Sequence, residues 1–471
     1  MLSCSVLTDN VAFAADDMSQ APHQTAPAFA GTVENLNAGD PQVGYEESPP
    51  PAISVVNVEK PALDNLGVLD QGKDGLADNI WQKSSRETID NLLANLNSGI
   101  ADDTLRNNLI NLLMTRANPP SGTSSQDWFL LRVNALIKIG AGDKAEQMLA
   151  SVPKSLQSQA ILQLQSEVAL ARGDYDSACK QVRFSANIDS TDAIFWQKLG
   201  ILCQAKAGKT DEAMLGLDVL RETGTGKDED AFFQDEIHKM SDKTFVAKSM
   251  PRKISLFDFA LIRAANDLER FKDKLDNFPA LAIKSLAGDA TLDANLRERA
   301  NIRAVALGLL PAKEVNKAPE PPFAKNVASD VTSLVTAFAT GNPPNDADNI
   351  VIARLAIDDA TIQDARRIQR LLTLMQLFGY KVSDDVWQKI FARKNRYEGD
   401  APAAFLVDKL LDAAANDRKA EVIILAAIIA DGNESDKIGD LALLPILKSL
   451  KQAGFEKEAR TIAVNAVKRY R

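Results

Sequence analysis

From Leu76 to the carboxyl end, apolar residues recur at the three- and four-residue spacing of an α-helix, and this period constrains the fold more than any other feature. Ile89, Leu92, Leu93 and Leu96 follow it, as do Leu105, Leu109, Leu112 and Leu113. Such a stripe lies on one face of a helix and must be buried against another element. Ala and Leu, which lose little on entering a helix, run through nearly every segment. Strand signals are missing: Val and Ile form no alternating runs, and no Asn-Gly or Asp-Gly turn joins two such runs. The expected fold class is all-α.

Breaks in the pattern fall where antiparallel helices would turn. They include Pro119-Pro120-Ser121-Gly122, Gly140-Ala141-Gly142, Gly173, Gly208 and Gly224. Three turn-plus-helix starts recur: Gly140 to Ala145, Arg172 to Ala178, and Gly208 to Ala213. Their anchoring alanines, Ala145, Ala178 and Ala213, are 33 and 35 residues apart. That spacing and chemistry resemble tetratricopeptide repeats, whose period is about 34 residues. Gly allows the tight turn, and a small Ala lets the second helix close on the first. Gly173, Ala178 and Val182 match the repeat's glycine, small and large-apolar positions, while Trp196, Leu199 and Gly200 match the start of its first helix. Ala213 sits one residue too far from Gly200, and the usual closing proline is missing or displaced. The expectation is a degenerate helical-hairpin solenoid, with a repeat core at 128–224 inside a helical-repeat domain at 76–312.

A second helical block follows Pro251, with Phe257, Leu261, Ala264, Ala265 and Leu268 on one face and Leu296, Ala300, Ile302, Ala304 and Leu307 on others. The prolines between Lys313 and Pro322 mark a linker at 313–325. A carboxyl-terminal helical-hairpin domain is expected at 326–471, with turns at Leu377 to Tyr380 and Lys451 to Phe455.

Charge divides the chain unevenly. Residues 1–75 hold eleven acids and two Lys, a net of −9, whereas the whole chain is −10. The body is therefore close to neutral and carries no basic stripe, which disfavours a nucleic-acid partner. The Pro-bearing, acidic stretch 15–75 is too poor in apolar residues to offset chain entropy and is expected to be a disordered linker. Before it, Ala12-Phe13-Ala14 followed by Ala15 has the form of a signal-peptidase site, with cleavage between Ala14 and Ala15. Residues 1–14 lack Lys and Arg, so they read as the end of a truncated signal segment. Export to the periplasm is the expectation. The longest apolar run, Val422 to Ala430, is closed by Glu421 and Asp431 and is too short to span a bilayer, so the chain is not expected to be an integral membrane protein.

Catalytic chemistry is not legible. The two histidines are His23, in the tail, and His238, in a charged helix where a solvated role is expected. No Gly-x-Ser-x-Gly elbow is present. Gly208-Lys209-Thr210 echoes a phosphate-binding loop, but Cys203 stands where another Gly is needed, and Gly224 to Lys227 fails in the same way. Glu434-Ser435 and Leu374-Met375-Gln376 echo lytic transglycosylases in reversed order, with Thr373 in place of a Gly. Arg366, Arg367 and Arg370 form a basic edge that Asp358, Asp359 and Asp364 lie close enough to neutralise. No catalytic, cofactor-binding or metal residues are assigned. Cys179 and Cys203 fall on helices that pack together in such an array. They are candidates for a disulfide in an oxidising compartment, and equally for two separate buried thiols.

Several stretches resemble an uncharacterised family of proteobacterial envelope proteins. These are Gly67-Val68-Leu69-Asp70, Ile80-Trp81 through Ser84-Ser85-Arg86 to Leu92-Leu93, Trp196 to Leu220, and Leu447 to Val467. Members are sometimes labelled antifreeze-glycopeptide-like, but the Ala-Ala-Thr repeats that label implies are missing here. The resemblance implies an exported helical-repeat protein and no catalytic residues. The expected role is a non-catalytic periplasmic scaffold that binds a protein partner of the cell envelope, with the groove of the 128–224 array as its surface. The alternatives are a peptidoglycan-processing protein with an unrecognised carboxylate pair, or an accessory chaperone of an envelope machine such as the flagellar motor.

Overall fold

The turns between helices share one hydrogen-bond pattern, and it explains how a degenerate sequence still stacks regularly. In the computed structural model the amides of Ala141, Asp174 and Lys209 donate to the carbonyls of Leu136, Ala169 and Gln204, five residues back, at 2.8, 3.0 and 3.0 Å. The residue before each donor is Gly140, Gly173 or Gly208, with φ of 73°, 81° and 74°. This is the Schellman stop, in which a left-handed residue ends a helix and caps its last carbonyls. It recurs far outside the repeat core, from Tyr380 to Met375 and from Phe455 to Leu450. Arg418 to Ala413 uses Asp417 at φ 53° instead of a glycine.

The structure describes residues 63–96, 98–122, 127–185, 193–223, 231–311, 325–341, 362–383, 386–387, 402–430 and 437–467. The signal segment with Ala14 and Ala15, the tail as far as residue 62, and residues 313–324 of the expected linker lie outside them. Among the described residues the fold is all-helical, and the only strand-like features are isolated bridges such as Leu69 with Thr115.

Helices α1 (Arg86–Ala94) and α2 (Asp103–Met114) precede the repeat core. Three hairpins follow: α3 (Trp128–Lys138) with α4 (Gly142–Ala150), α5 (Gln159–Ala171) with α6 (Tyr175–Ser185), and α7 (Ala193–Lys206) with α8 (Thr210–Thr223). Asp102, Asp127 and Ser158 cap α2, α3 and α5 by accepting from backbone amides three residues on. Ala145, Ala178 and Ala213 are fully buried, one on each second helix, as a close helix crossing requires.

The chain then doubles back. Helix α9 (Ala231–Ser241) packs on α7 and α8, α10 (Leu256–Ala264) on α5, and α11 (Ala280–Gly288) on α3 and α5. The side formed by the first helices of the repeats, one of the two sides of the array expected to bear the groove, is thus filled by the chain itself. Phe257 of α10 sits edge-on to Phe195 of α7 at 5.7 Å and beside Phe233 of α9 at 6.1 Å. The Tyr175 hydroxyl donates to the Ala260 carbonyl at 2.8 Å, and burial pushes its pKa up to about 12. Any side chain at Gly140 or Gly142 would overlap Leu309 or Leu281. Helix α10 is buried almost all round rather than on one face. Ile302, on α12 (Ala294–Ala306), is 66% exposed, contrary to the expectation that it lines a core face.

The carboxyl-terminal helices are α13 (Lys325–Thr340), α14 (Ile362–Leu377), α15 (Ala404–Ala415), α16 (Lys419–Ala430), α17 (Asp440–Gln452) and α18 (Glu456–Val467). They do not form a separate domain. Helix α16 carries the longest apolar run, is buried along most of its length, and packs on α1, α2, α15 and α17. Helix α18 also reaches α2. The described residues from Leu63 to Val467 accordingly belong to one compact unit.

The boundary expected at residue 75 also moves. Residues 63–75 are docked, not free: Val68 and Leu69 donate to the Met114 carbonyl, and Arg116 donates back to Leu69 at 2.8 Å. The cause is Arg132, which is fully buried on α3. Its guanidinium donates to the carbonyls of Leu113 and Thr115 in the body and of Leu66 and Asp64 in the segment. Burial lowers its pKa to about 10, against the opposing pull of the Asp64 and Asp127 carboxylates.

Candidate functional site

With the first-helix side filled, the outward side of the repeat core is the one formed by α4, α6 and α8. Between α4 and α6 a cleft of about 210 Å³ opens over α5. Leu149, Val168 and Ala169 give it an apolar floor, and Gln165, Ser177 and Gln181 a polar wall. Arg172 and Glu146 close one edge through a two-pronged ion pair, with 2.6 Å for one prong. The paired Glu146 carboxylate raises the Arg172 pKa. Asp174 caps α6 through the Ser177 amide at 3.0 Å, and the Ser177 hydroxyl and amide hold its carboxyl below the usual range.

Helix α8 carries the most exposed apolar residues of this side. Leu215 is 66% and Val219 48% exposed, one turn apart. Ala213, Leu217 and Leu220 point the opposite way and are buried. Asp211, Glu212, Asp218 and Glu222 surround the exposed pair. Lys209 reaches Glu212 at 2.9 Å, and Arg221 pairs with Asp218.

Two charged clusters lie elsewhere, and the sequence reading missed both. The first surrounds Trp128, which meets Trp81 edge-on at 4.9 Å and lies under the Arg86 and Arg132 guanidinium groups at 4.9 and 5.5 Å. Arg86 is held by Asp90 at 2.6 Å. A single Arg inside the apolar run Trp128 to Lys138 was the available signal. The second cluster joins α9 to the 3-10 segment Leu268–Asn277. Arg270 bridges Glu236 and Asp267, Lys239 holds the other Asp267 oxygen, and Arg270 also donates to the Ser249 carbonyl at 2.7 Å. Asp235 pins the same loop by accepting from the Lys248 and Ser249 amides at 2.8 and 2.7 Å. Desolvation, then the adjacent Asp267 carboxylate, pushes the buried Glu236 carboxyl up to about 8. A pair of carboxyl groups can do acid–base chemistry. Here both are tied to cations and Glu236 is fully buried, which is the arrangement of a structural clamp.

The residues singled out in the sequence fall as follows. Cys179 on α6 and Cys203 on α7 are brought together as a disulfide, with Cα atoms 5.8 Å apart, tying one repeat to the next. His238 is half-buried against Phe245, ring centroids 5.3 Å apart, rather than solvated. Gly208 to Thr210 is the turn that starts α8. Leu374 and Met375 are core residues of α14. Arg370 is no solvated charge: it pairs with Asp440 at 3.3 Å and donates to the Ile438 carbonyl at 2.8 Å, joining α14 to α17. Glu434, Ser435, Asp358, Asp359, Gly224 to Lys227 and His23 lie outside the described residues. Among the described residues no group of His, Cys, Asp and Glu is placed to hold a metal, and no helix is long and apolar enough to cross a membrane. Comparisons with known protein families, with curated proteins and with solved structures find no match to this chain.

Proposed function

We propose that the protein is a non-catalytic adaptor of the bacterial periplasm, which binds another envelope protein through the outward side of its stacked hairpins. The observation that carries this reading is the contrast between the two sides of the repeat core. One side is sealed by α9, α10 and α11, while the other keeps a cleft between α4 and α6 and an exposed apolar pair on α8. Exposed apolar side chains grouped among polar ones are a common mark of a protein-binding surface. The disulfide between Cys179 and Cys203 supports the periplasmic placement, since such bonds persist in oxidising compartments. So do the cleavage-like Ala14-Ala15 site and the resemblance to envelope proteins.

The test is site-specific photo-crosslinking in intact cells from positions on α4 and α8, with positions on α10 as the comparison. The adaptor reading expects one and the same envelope protein to be captured from α4 and α8, with or without residues 16–75. Release of muropeptides from purified sacculi would replace it with a peptidoglycan-processing activity. Recovery of the intact chain with reduced cysteines from the cytoplasmic fraction would remove the periplasmic placement.

A further inference from the structure

We propose that the outward face of α8 is a docking site for a basic amphipathic helix of the partner protein. This rests on the adaptor reading and names the chemistry of what it binds. Along α8, Asp211, Leu215, Asp218 and Glu222 form a single stripe at helical spacing, with Val219 at its edge. The stripe lies opposite the buried Ala213, Leu217 and Leu220, so it faces away from the body. Lys209 and Arg221 neutralise Glu212 and Asp218. Among the described residues no cation pairs with Asp211 or Glu222. The exposed apolar pair is therefore bracketed by two carboxylates that no described cation pairs with, one turn before Leu215 and about one turn after Val219. They are eleven residues apart, or about 16 Å along the axis at 1.5 Å per residue.

A partner helix complements this layout if it carries two apolar residues one turn apart with a Lys or Arg a turn beyond each. Helices docked in this manner are read by anchors at i, i+4 and i+7, and charge complementarity adds specificity and on-rate. The competing occupants fit worse. The chain's own segment 1–75 has a net charge of −9 and would be repelled. A second copy docked antiparallel across a two-fold axis would set Asp211 against the other copy's Glu222, acid on acid. Anionic lipid headgroups and nucleic-acid phosphates meet the same repulsion.

The test uses the full chain and a labelled synthetic peptide of about 18 residues, long enough to hold a helix. Two central Leu one turn apart are flanked by Lys, and a second peptide carries Glu at the Lys positions. Fluorescence anisotropy should show binding of the Lys peptide, weakened about tenfold by Leu215→Ser with Val219→Ser, and similarly by Asp211→Asn with Glu222→Gln. Asp273→Asn with Asp276→Asn, two exposed acids on the 3-10 segment Leu268–Asn277 away from this side, should leave it unchanged. Circular dichroism confirms that each variant is folded, since every substituted side chain is exposed. Equal binding of both peptides, no binding of the Lys peptide, or indifference to the α8 substitutions would overturn the proposal. If crosslinking still captures one envelope partner from α4 in that case, only the docking proposal falls. If it captures none, the adaptor reading falls with it.

Discussion

The two sides of the repeat core are built from the same hairpins and meet opposite fates. On the first-helix side, α5 is buried on two faces, between its own hairpin partner α6 and the returning α10. Aromatic rings interlock there, and Arg263 with Asp289 and Lys284 with Asp143 tie the returning layer at its edges. On the second-helix side, α4 and α6 stand apart over a cleft, and α8 holds apolar residues in water. A repeat pattern thus specifies how hairpins stack without specifying which side remains free. That choice belongs to the segment that follows the repeats.

Substitutions should separate the two sides, and the largest effect is expected in the sealed layer. Phe257→Ala removes a ring packed against both Phe195 and Phe233, and should cost about 4 kcal/mol in urea unfolding. An effect below about 1 kcal/mol would mean that α10 is only loosely seated. Next comes the bond joining α6 to α7. Cys179→Ser with Cys203→Ser should lower stability by about 3 kcal/mol under oxidising conditions, and reductant should bring the wild type to the same value.

The clamp beneath α9 gives a smaller, pH-dependent signature. Because the Glu236 pKa is raised from 4.5 to about 8, the folded state keeps a proton that the unfolded chain releases. The stability from this group is full below pH 4.5 and is lost as pH rises through about 8. Glu236→Gln should flatten that part of the stability–pH curve, and an unaltered curve would show that the carboxyl does not titrate there. The smallest effect belongs to the open side. Leu215→Ser should shift stability by no more than about 0.5 kcal/mol while weakening partner capture, and a larger loss would mean that Leu215 is packed.

Much of the fold was legible because it depends on local rules. Helical spacing, glycines that stop helices, and alanines 33 and 35 residues apart act within about one repeat. The cysteines were placed on adjacent helices by the same register, although spacing alone left two free thiols as an equal alternative. The sealed side was not legible. Leu256 to Ala264 is apolar nearly all round, which announces deep burial but not against which helix. The docking of residues 63–75 was hidden because Arg132 holds backbone carbonyls, which any sequence supplies. The α8 stripe was present in the sequence, yet only the burial of Ala213, Leu217 and Leu220 shows which face of that helix is free.

Native-state hydrogen exchange on the free protein most directly tests whether the first-helix side is sealed. If α9, α10 and α11 close it, the amides of α5 and α10 exchange together, through global unfolding only, and a captured partner adds protection on α8 while leaving α5 unchanged. Exchange of α10 well ahead of global unfolding, with new protection on α5 when the partner binds, would show instead that the groove opens and is the binding surface.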